Sequence, residues 1–528
     1  MTPRPARPAG PAPLMDRSSR VTVSDGMSDG WEGVDVLVVG VAPAPGRPSG
    51  AATDTPADDV PPPVPVPDAT ALLAAGRYGT DLAAVIAAER VTGRAGEVVR
   101  VPVAAPDGLP GRLLLAGTGR GTPADLRRAG AAVARATRGR RRVVTSLADG
   151  LPAEAARGFV EGLLLGGYQP PATGTRRRTD AAPPRRVELA GRVAATAAPA
   201  GALHAGATLR VRDLAATPSD VKNPAWFARA AAELAGPAGL AVRVRDEADL
   251  AAEGFGGLLA VGGGSASPPR LVQLDYEPAN PGRHRRRVVL VGKGITYDTG
   301  GLSIKPREAM LPMKTDMAGA AVVLATLAAC VEAGVRRPVT GLLAIAENSV
   351  GAGSYRPSDV VTCWGGRTVE VTNTDAEGRM VLADALAYAD AELDPEILVD
   401  VATLTGAATL GLGRRHAALF TPDDRLAAGL AAAAAASGEQ VWRMPLVEEY
   451  RRVLDSSIAD LRHVTTDPSV GGGAVVAALF LREFTGGRRW AHLDIAGPAR
   501  SDKDEHEITR GPTGYGARLL LHWLAGLR

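Results

Sequence analysis

The chain has 528 residues, too many for one ordinary core, so two or three domains are expected. A hydrophobic content of 45% with 22% charged residues describes a globular protein, and a formal net charge of +3 argues against a dedicated nucleic-acid binder. Cys330 and Cys363 are too few and too far apart for a disulfide scaffold or a zinc or redox pair, and no apolar run reaches the length of a membrane span. Both cysteines are expected as small buried hydrophobes, and the protein as cytoplasmic.

Residues 1–32 open with Pro, Arg, Ser and Gly and have no apolar leader core. They read as a disordered N-terminal extension, or as a misplaced start with Met15 or Met27 the true one. Val34–Val41 is a continuous apolar run that predicts a buried strand, followed by a Pro-rich insertion from Pro43 to Pro67. Helical periodicity runs over Ala71–Ala88. Strands are expected at Glu97–Val103 and Gly111–Ala116, a helix over Pro123–Arg138, a strand at Arg142–Ser146 and a helix over Pro152–Gly166. The polar stretch Gln169–Arg186 reads as a loop before a strand at Val187–Ala194. This alternation predicts an N-terminal α/β domain over 33–198 with a largely parallel sheet.

Leu203–Ala216 reads as a connecting helix, giving a linker over 199–216 and a larger α/β domain over 217–528. There the pattern predicts helices over Pro224–Ala235 and Gly319–Ala333. Strands are expected at Ala241–Arg245, Arg287–Val291, Val339–Ala346, Thr368–Thr372, Ile397–Thr403 and Trp490–Asp494. No internal repeat or heptad seam is present. The basic runs at Arg138–Arg142 and Arg283–Arg287 lack an aromatic platform and read as solvated element ends.

Three segments are dense in chemistry. In the first, a buried strand runs into Gly-rich sequence, so Lys293 and Asp298 should emerge at its C-terminal edge, where open α/β sheets bind ligands. Its spacing fits neither phosphate-binding glycine motif. In the second, Asp316 stands just ahead of a small-residue helix and, taken alone, would be a helix cap. In the third, Asp375 and Glu377 are two apart, so extended backbone would send both carboxylates to one face. Such a pair needs a cation or a shared proton. Arg379 could supply the cation in an ordinary surface ion pair, and so could a metal.

Together these segments bring four carboxylates and two lysines to strand ends, a donor set suited to Mg, Mn or Zn. None of the seven histidines lies in them. Lysine usage adds an independent argument. The chain has five lysines (Lys222, Lys293, Lys305, Lys314 and Lys503), and arginine supplies the rest of its 60 basic residues. Arginine replaces lysine on a solvated surface but not where an amine must ligate a metal or a compact charge must fit. Lys293 and Lys305 against that bias point to chemistry. Lys314 could simply neutralise Asp316.

Asn373-Thr-Asp-Ala-Glu-Gly-Arg379 resembles the signature heptapeptide of the cytosolic leucyl aminopeptidase family, and Lys293-Gly-Ile-Thr-Tyr-Asp-Thr-Gly-Gly301 resembles its lysine–aspartate loop. In that loop the family more usually has Phe and Ser where this chain has Tyr297 and Thr299. Similarity continues through Met313–Ala321, Ala346–Asn348, Asp400–Gly406 and His492–Gly497, over roughly residues 211 to 525. The N-terminal half resembles the family in pattern, and in Phe159–Gly167.

The resemblance implies a smaller, macro-like N-terminal α/β domain and a larger catalytic α/β domain with a mostly parallel mixed sheet. It implies a metallo-exopeptidase that releases N-terminal Leu and other apolar residues from peptides, with two divalent ions (Mn or Zn) per subunit. Lys293 and Asp316 would ligate the tightly held ion and Asp375 the more exchangeable one, with Asp298 and Glu377 shared between them. Lys305 would polarise the scissile carbonyl, and Arg379 would hold a bicarbonate ion as general base. Met313, Thr403, Gly406 and Ala496 match positions lining the pocket for the first side chain. A homohexamer is also implied. Two alternatives stand beside this reading. One is a DNA-binding regulatory role, for which the 25 Arg against 19 acids in residues 1–200 is only a slight basis. The other is a two-metal phosphatase or nuclease.

Overall fold

The computed structural model describes residues 19–24, 31, 33–45, 64–104, 108–171, 182–283, 286–467 and 469–527. The Pro-rich insertion, the middle of the 169–186 segment and part of the 283–287 basic run lie mostly outside these residues. The chain forms two compact units, residues 11–205 with 503–509, and residues 206–502 with 510–528. The change of unit falls within the helix Ala197–Ala216, which begins six residues before the connecting helix read from the sequence.

In the first unit the apolar runs form β2 (Val36–Ala42), β4 (Val98–Val101), β5 (Leu113–Gly117), β6 (Arg142–Thr145) and β7 (Arg186–Ala190) as patterned, and two strands not expected from the sequence, β1 (Arg20–Ser24) and β3 (Val66–Pro67), join them. They make a seven-stranded sheet in the order β1-β7-β6-β2-β5-β4, with β3 on β2. Its β1-β7-β6-β2-β5 run is parallel and the edges β4 and β3 are antiparallel. β1 lies within the stretch expected to be a disordered extension, and its five residues pair in register with Arg186–Ala190. The alternating Arg-Val-Thr-Val-Ser pattern there is a half-buried strand signal that the surrounding Pro and Gly masked. The helix expected over Ala71–Ala88 is two helices, Ala69–Tyr78 and Leu82–Ala88. Gly79 ends the first in the left-handed conformation and Asp81 caps the second.

The second unit carries an eight-stranded mixed sheet. Its strands are β8 (Ala241–Arg245), β9 (Arg270–Tyr276), β10 (Val288–Asp298), β11 (Val339–Asn348), β14 (Ile397–Ala402), β15 (Ala417–Phe420), β16 (Val441–Arg443) and β18 (Arg489–Asp494). The order is β16-β15-β18-β14-β10-β11-β9-β8, with a parallel centre of β18, β14, β10 and β11. A small sheet of β12 (Val360–Thr362), β13 (Thr368–Glu370) and β17 (Leu461–Arg462) sits apart from it. The central strands are nearly continuous runs of Val, Leu, Ile and Ala, as expected of strands covered on both faces. The covering helices include Ala318–Leu327, in which all ten residues are buried, and Glu377–Leu393. Arg307–Leu327 has the length and composition of a membrane span, yet it is three separate helical pieces and is mostly buried. Cys330 and Cys363 are free and buried.

β10 departs from the expected Arg287–Val291 in a way that matters. It runs seven residues further, so Lys293 and Asp298 sit within the strand and not in the Gly-rich turn after it. Pairing with β11 slips between Ile295, opposite Ala346, and Asp298, opposite Asn348. Three steps along β10 therefore match two along β11, an extra residue that makes a bulge. Side chains alternate faces along a strand, so without the bulge Lys293 and Asp298, five apart, would point to opposite faces.

Candidate metal centre

Three segments distant in sequence converge on Lys293. Its Nζ donates to Asp316 Oδ1 at 2.9 Å and to the Thr403 carbonyl at 3.0 Å, and pairs with Glu377 Oε1 at 2.8 Å. Thr403 Oγ1 donates to the same Asp316 oxygen at 2.8 Å. Asp316 is no helix cap. It follows a short 3-10 turn, Met313–Thr315, and turns its carboxylate toward Lys293. Lys314 does not neutralise it, because Lys314 Nζ donates instead to the Ala216 carbonyl.

Asp298 is held by protein donors on one oxygen and faces Lys305 with the other. Oδ1 accepts from Gly300 N and Asn348 Nδ2, both at 2.8 Å, and Oδ2 lies 2.9 Å from Lys305 Nζ. The chain doubles back after Asp298 through Gly300 and Gly301, both at positive φ, which brings Lys305 over the strand it has just left. Lys305 Nζ also lies 2.5 Å from Asp375 Oδ1.

Asp375 and Glu377 come together by a different route from the one expected. The backbone there is not extended. Asp375 lies in a turn, and Glu377 is the first residue of the Glu377–Leu393 helix. Ligand atoms of Asp298, Asp375 and Glu377 nevertheless lie within 4.8 Å of one another. Gly378 makes this approach possible, since a Cβ on it would stand 2.5 Å from Lys293 Cε and 2.7 Å from Nζ. Arg379 forms no surface pair with its neighbours. It is buried, and its Nη1 donates to the His463 carbonyl at 2.6 Å. Burial pushes its pKa down to about 10, still charged at neutral pH.

Four carboxylates thus meet two ammonium groups in a cluster that is buried apart from Lys305 and Asp375, which are partly exposed. Burial raises the pKa of Asp298, and repulsion from Glu377 adds to this. Asp316 is pushed further up by burial, with Glu377 and Asp298 adding to the rise and Lys293 opposing it. Burial works against the charge on Lys293, but Asp316, Glu377 and Asp298 together outweigh it and raise its pKa. Two carboxylate oxygens, Asp316 Oδ2 and Asp375 Oδ1, have no aligned hydrogen-bond donor although a lysine Nζ lies near each. A buried, carboxylate-rich set that is short of positive charge and has oxygens left over fits hard divalent cations.

Of the residues matched to the substrate pocket, Met313, Thr403 and Ala496 are half-buried and Gly406 is exposed. Supporting residues had no role assigned from the sequence. Asn348 bridges Asp298 and the Thr374 carbonyl, Tyr355 donates to that carbonyl, and Thr374 Oγ1 donates to the Gly300 carbonyl. Asn348 stood within a motif and could have been flagged. Tyr355 carried no signal.

The model of the cytosol aminopeptidase family's catalytic domain matches residues 210–521, and that of its N-terminal domain matches residues 65–172. The chain belongs to the cytosol aminopeptidase family. Its relatives include a probable cytosol aminopeptidase of Chlorobaculum tepidum, 40% identical over 82% of this chain and 90% of that one. One from Streptomyces coelicolor is 40% identical over 92% and 95%. Among solved structures, the bottromycin maturation enzyme BotP in complex with Mn is 38% identical over 94% of this chain and 99% of that one, with a TM-score of 0.78. A mutant tomato leucine aminopeptidase is 29% identical over 99% and 98%, with a TM-score of 0.81. Membership makes this chain a metal-dependent aminopeptidase, a metallo-exopeptidase with the two-domain α/β fold of the family. These relatives lend the DNA-binding alternative no support.

Proposed function

We propose that this aminopeptidase holds two divalent cations per subunit through Lys293, Asp298, Asp316, Asp375 and Glu377, and releases N-terminal leucine and other apolar residues from peptides. The charge imbalance of the cluster carries this reading: two lysines face four carboxylates, of which Asp298, Asp316 and Glu377 are buried. Manganese, bound by BotP, and zinc are the candidate ions. Bound there, they would supply Lewis acidity to activate water and steady charge on the scissile carbonyl.

The protein's own groups do the rest. Lys293, whose ammonium is held by Asp316 and Glu377, would join the ligand set as a neutral amine and so would have to give up its proton for a metal to bind. Lys305 keeps its charge and meets the oxyanion that develops on the substrate. Arg379, whose Nε has no acceptor among the described residues, would hold a bicarbonate ion as general base. Met313, Thr403, Gly406 and Ala496 line the pocket for the first side chain. This reading assigns catalysis to residues 217–528, with 33–198 a separate domain joined through 199–216. The family resemblance supports a homohexamer, and the relatives' naming as cytosol enzymes supports a cytoplasmic location.

The test is hydrolysis of leucine p-nitroanilide after exhaustive EDTA treatment, followed by Mn or Zn titration, with stoichiometry read by calorimetry. Activity should vanish and return, with two ions bound per chain. Activity that survives complete stripping, or full activity in Asp375→Asn, would overturn the assignment.

A further inference from the structure

The signature segment 372–379 carries Asp375, Glu377 and Arg379, yet it has little regular structure of its own before the helix begins. What fixes it comes from a distant part of the chain. His463, just past β17, is wholly buried against it. Its ring Nε2 lies 2.9 Å from the Asn373 carbonyl. Its Nδ1 lies 3.3 Å from the Thr372 amide N and 3.2 Å from the Glu370 carbonyl. Its backbone carbonyl accepts from Arg379 Nη1, and its backbone N–H donates to the Glu370 carbonyl at 3.3 Å. One residue thus grips both ends of the segment.

The shortest ring contact, Nε2 to the Asn373 carbonyl, favours one state of the ring. Burial, with the Arg379 guanidinium beside it, pushes the His463 pKa down to about 3, so the imidazole is neutral at working pH and has one N–H. A carbonyl oxygen can only accept, so Nε2 carries the proton toward Asn373. Nδ1 is then the acceptor for the Thr372 N–H. The opposite tautomer would donate to the Glu370 carbonyl, which the His463 backbone N–H already reaches, but would set an N–H against the Thr372 amide and a lone pair against the Asn373 carbonyl.

We propose that His463 is a positioning residue of the metal centre: its neutral ring and its carbonyl set the spacing between Asp375, Glu377 and Arg379. The proposal rests on the two-ion reading above. Misplacing such supports typically weakens metal binding or activity by about 10- to 100-fold.

The test uses full-length protein stripped of metal. Mn affinity is read from the free-ion EPR signal, kcat and KM from leucine p-nitroanilide, and folding from near-UV circular dichroism and Tm. His463→Gln keeps a donor for the Asn373 carbonyl, while His463→Asn keeps an acceptor near Thr372 but cannot reach Asn373. His463→Ala and His463→Asn should bind Mn about 10- to 100-fold more weakly and lose kcat with KM little changed, and His463→Gln should recover most of both. If all three lower Tm while Mn affinity and kcat hold, His463 is merely structural and the proposal fails. It fails equally if Gln rescues no better than Asn. Asp375→Asn runs in parallel. If it weakens Mn binding while the His463 variants do not, only this inference falls. If it leaves Mn binding intact, the metal-centre reading itself falls.

Discussion

Two buried ionic clusters in this chain have opposite balances. In the N-terminal unit, fully buried Glu161 faces Arg127 at 2.8 Å, Arg157 at 3.3 Å and His204 at 3.2 Å. There the cations exceed the anion, and the buried groups left without an aligned partner, Arg127 Nη2 and Arg157 Nε, are donors. In the catalytic unit the anions exceed the cations, and two carboxylate oxygens stay without an aligned donor. Both clusters bear the cost of removing charge from water. The first uses its pairing to hold helices together. The second leaves acceptor oxygens open, which is what a binding site for cations needs. Burial alone would not have told them apart, whereas the sign of the imbalance does.

Breaking each cluster should therefore have opposite consequences. The largest expected effect is on stability, in Glu161→Gln, which leaves two arginines facing a neutral amide. Chemical unfolding should show a loss of about 3–5 kcal/mol, with kcat/KM of the folded enzyme unchanged. In the catalytic cluster, Lys305→Met should lower kcat about 100- to 1000-fold, or roughly 3–4 kcal/mol of barrier. Because it removes a cation from beside Asp298 and Asp375, Mn should bind the stripped variant at least as tightly as the wild type. Loss of Mn affinity in that variant would erase the contrast between the clusters.

The smallest effect is one of pH. His463 titrates near 3 when folded against an ordinary value of 6.5, so below pH 6.5 the unfolded chain takes up a proton that the folded chain refuses. Stability from this group is complete above 6.5 and falls on acidification, by roughly 2 kcal/mol at pH 5. Buried His492 works the other way, because Asp400 raises its pKa. The difference between wild type and His463→Gln in urea unfolding at pH 7 and pH 5 isolates the His463 share. A difference that does not change with pH would mean that His463 is already charged in the fold.

The sequence was most legible where chemistry restricts residue type. Lys293 and Lys305 stood out because arginine cannot do their work, and Asp298, Asp316, Asp375 and Glu377 because acids accumulate beside glycines at strand ends. Most strands of both sheets were legible too, as apolar runs bounded by turn residues, but Arg270–Tyr276, Ala417–Phe420 and Val441–Arg443 were not expected. Less legible was anything set by long-range pairing. The helix that begins at Glu377 was hidden because the two-residue spacing of Asp375 and Glu377 suited an extended chain equally well. β1 was obscured by its Pro- and Gly-rich surroundings. Asn348 and His463 act through contacts 50 and 90 residues away in the chain, which no local pattern records.

The bulge in β10 sets the regularity of the sheet against the use to which the sheet is put. Deleting one residue from the Thr296–Tyr297 stretch would restore even pairing between β10 and β11, and by the logic of backbone hydrogen bonding alone it would be an improvement. It would also turn Asp298 to the other side of the sheet, away from Lys293. The length of this short stretch is thus under a tighter constraint than its composition. Substitutions there can be absorbed, but the ruler that separates lysine from aspartate cannot lose or gain a single mark.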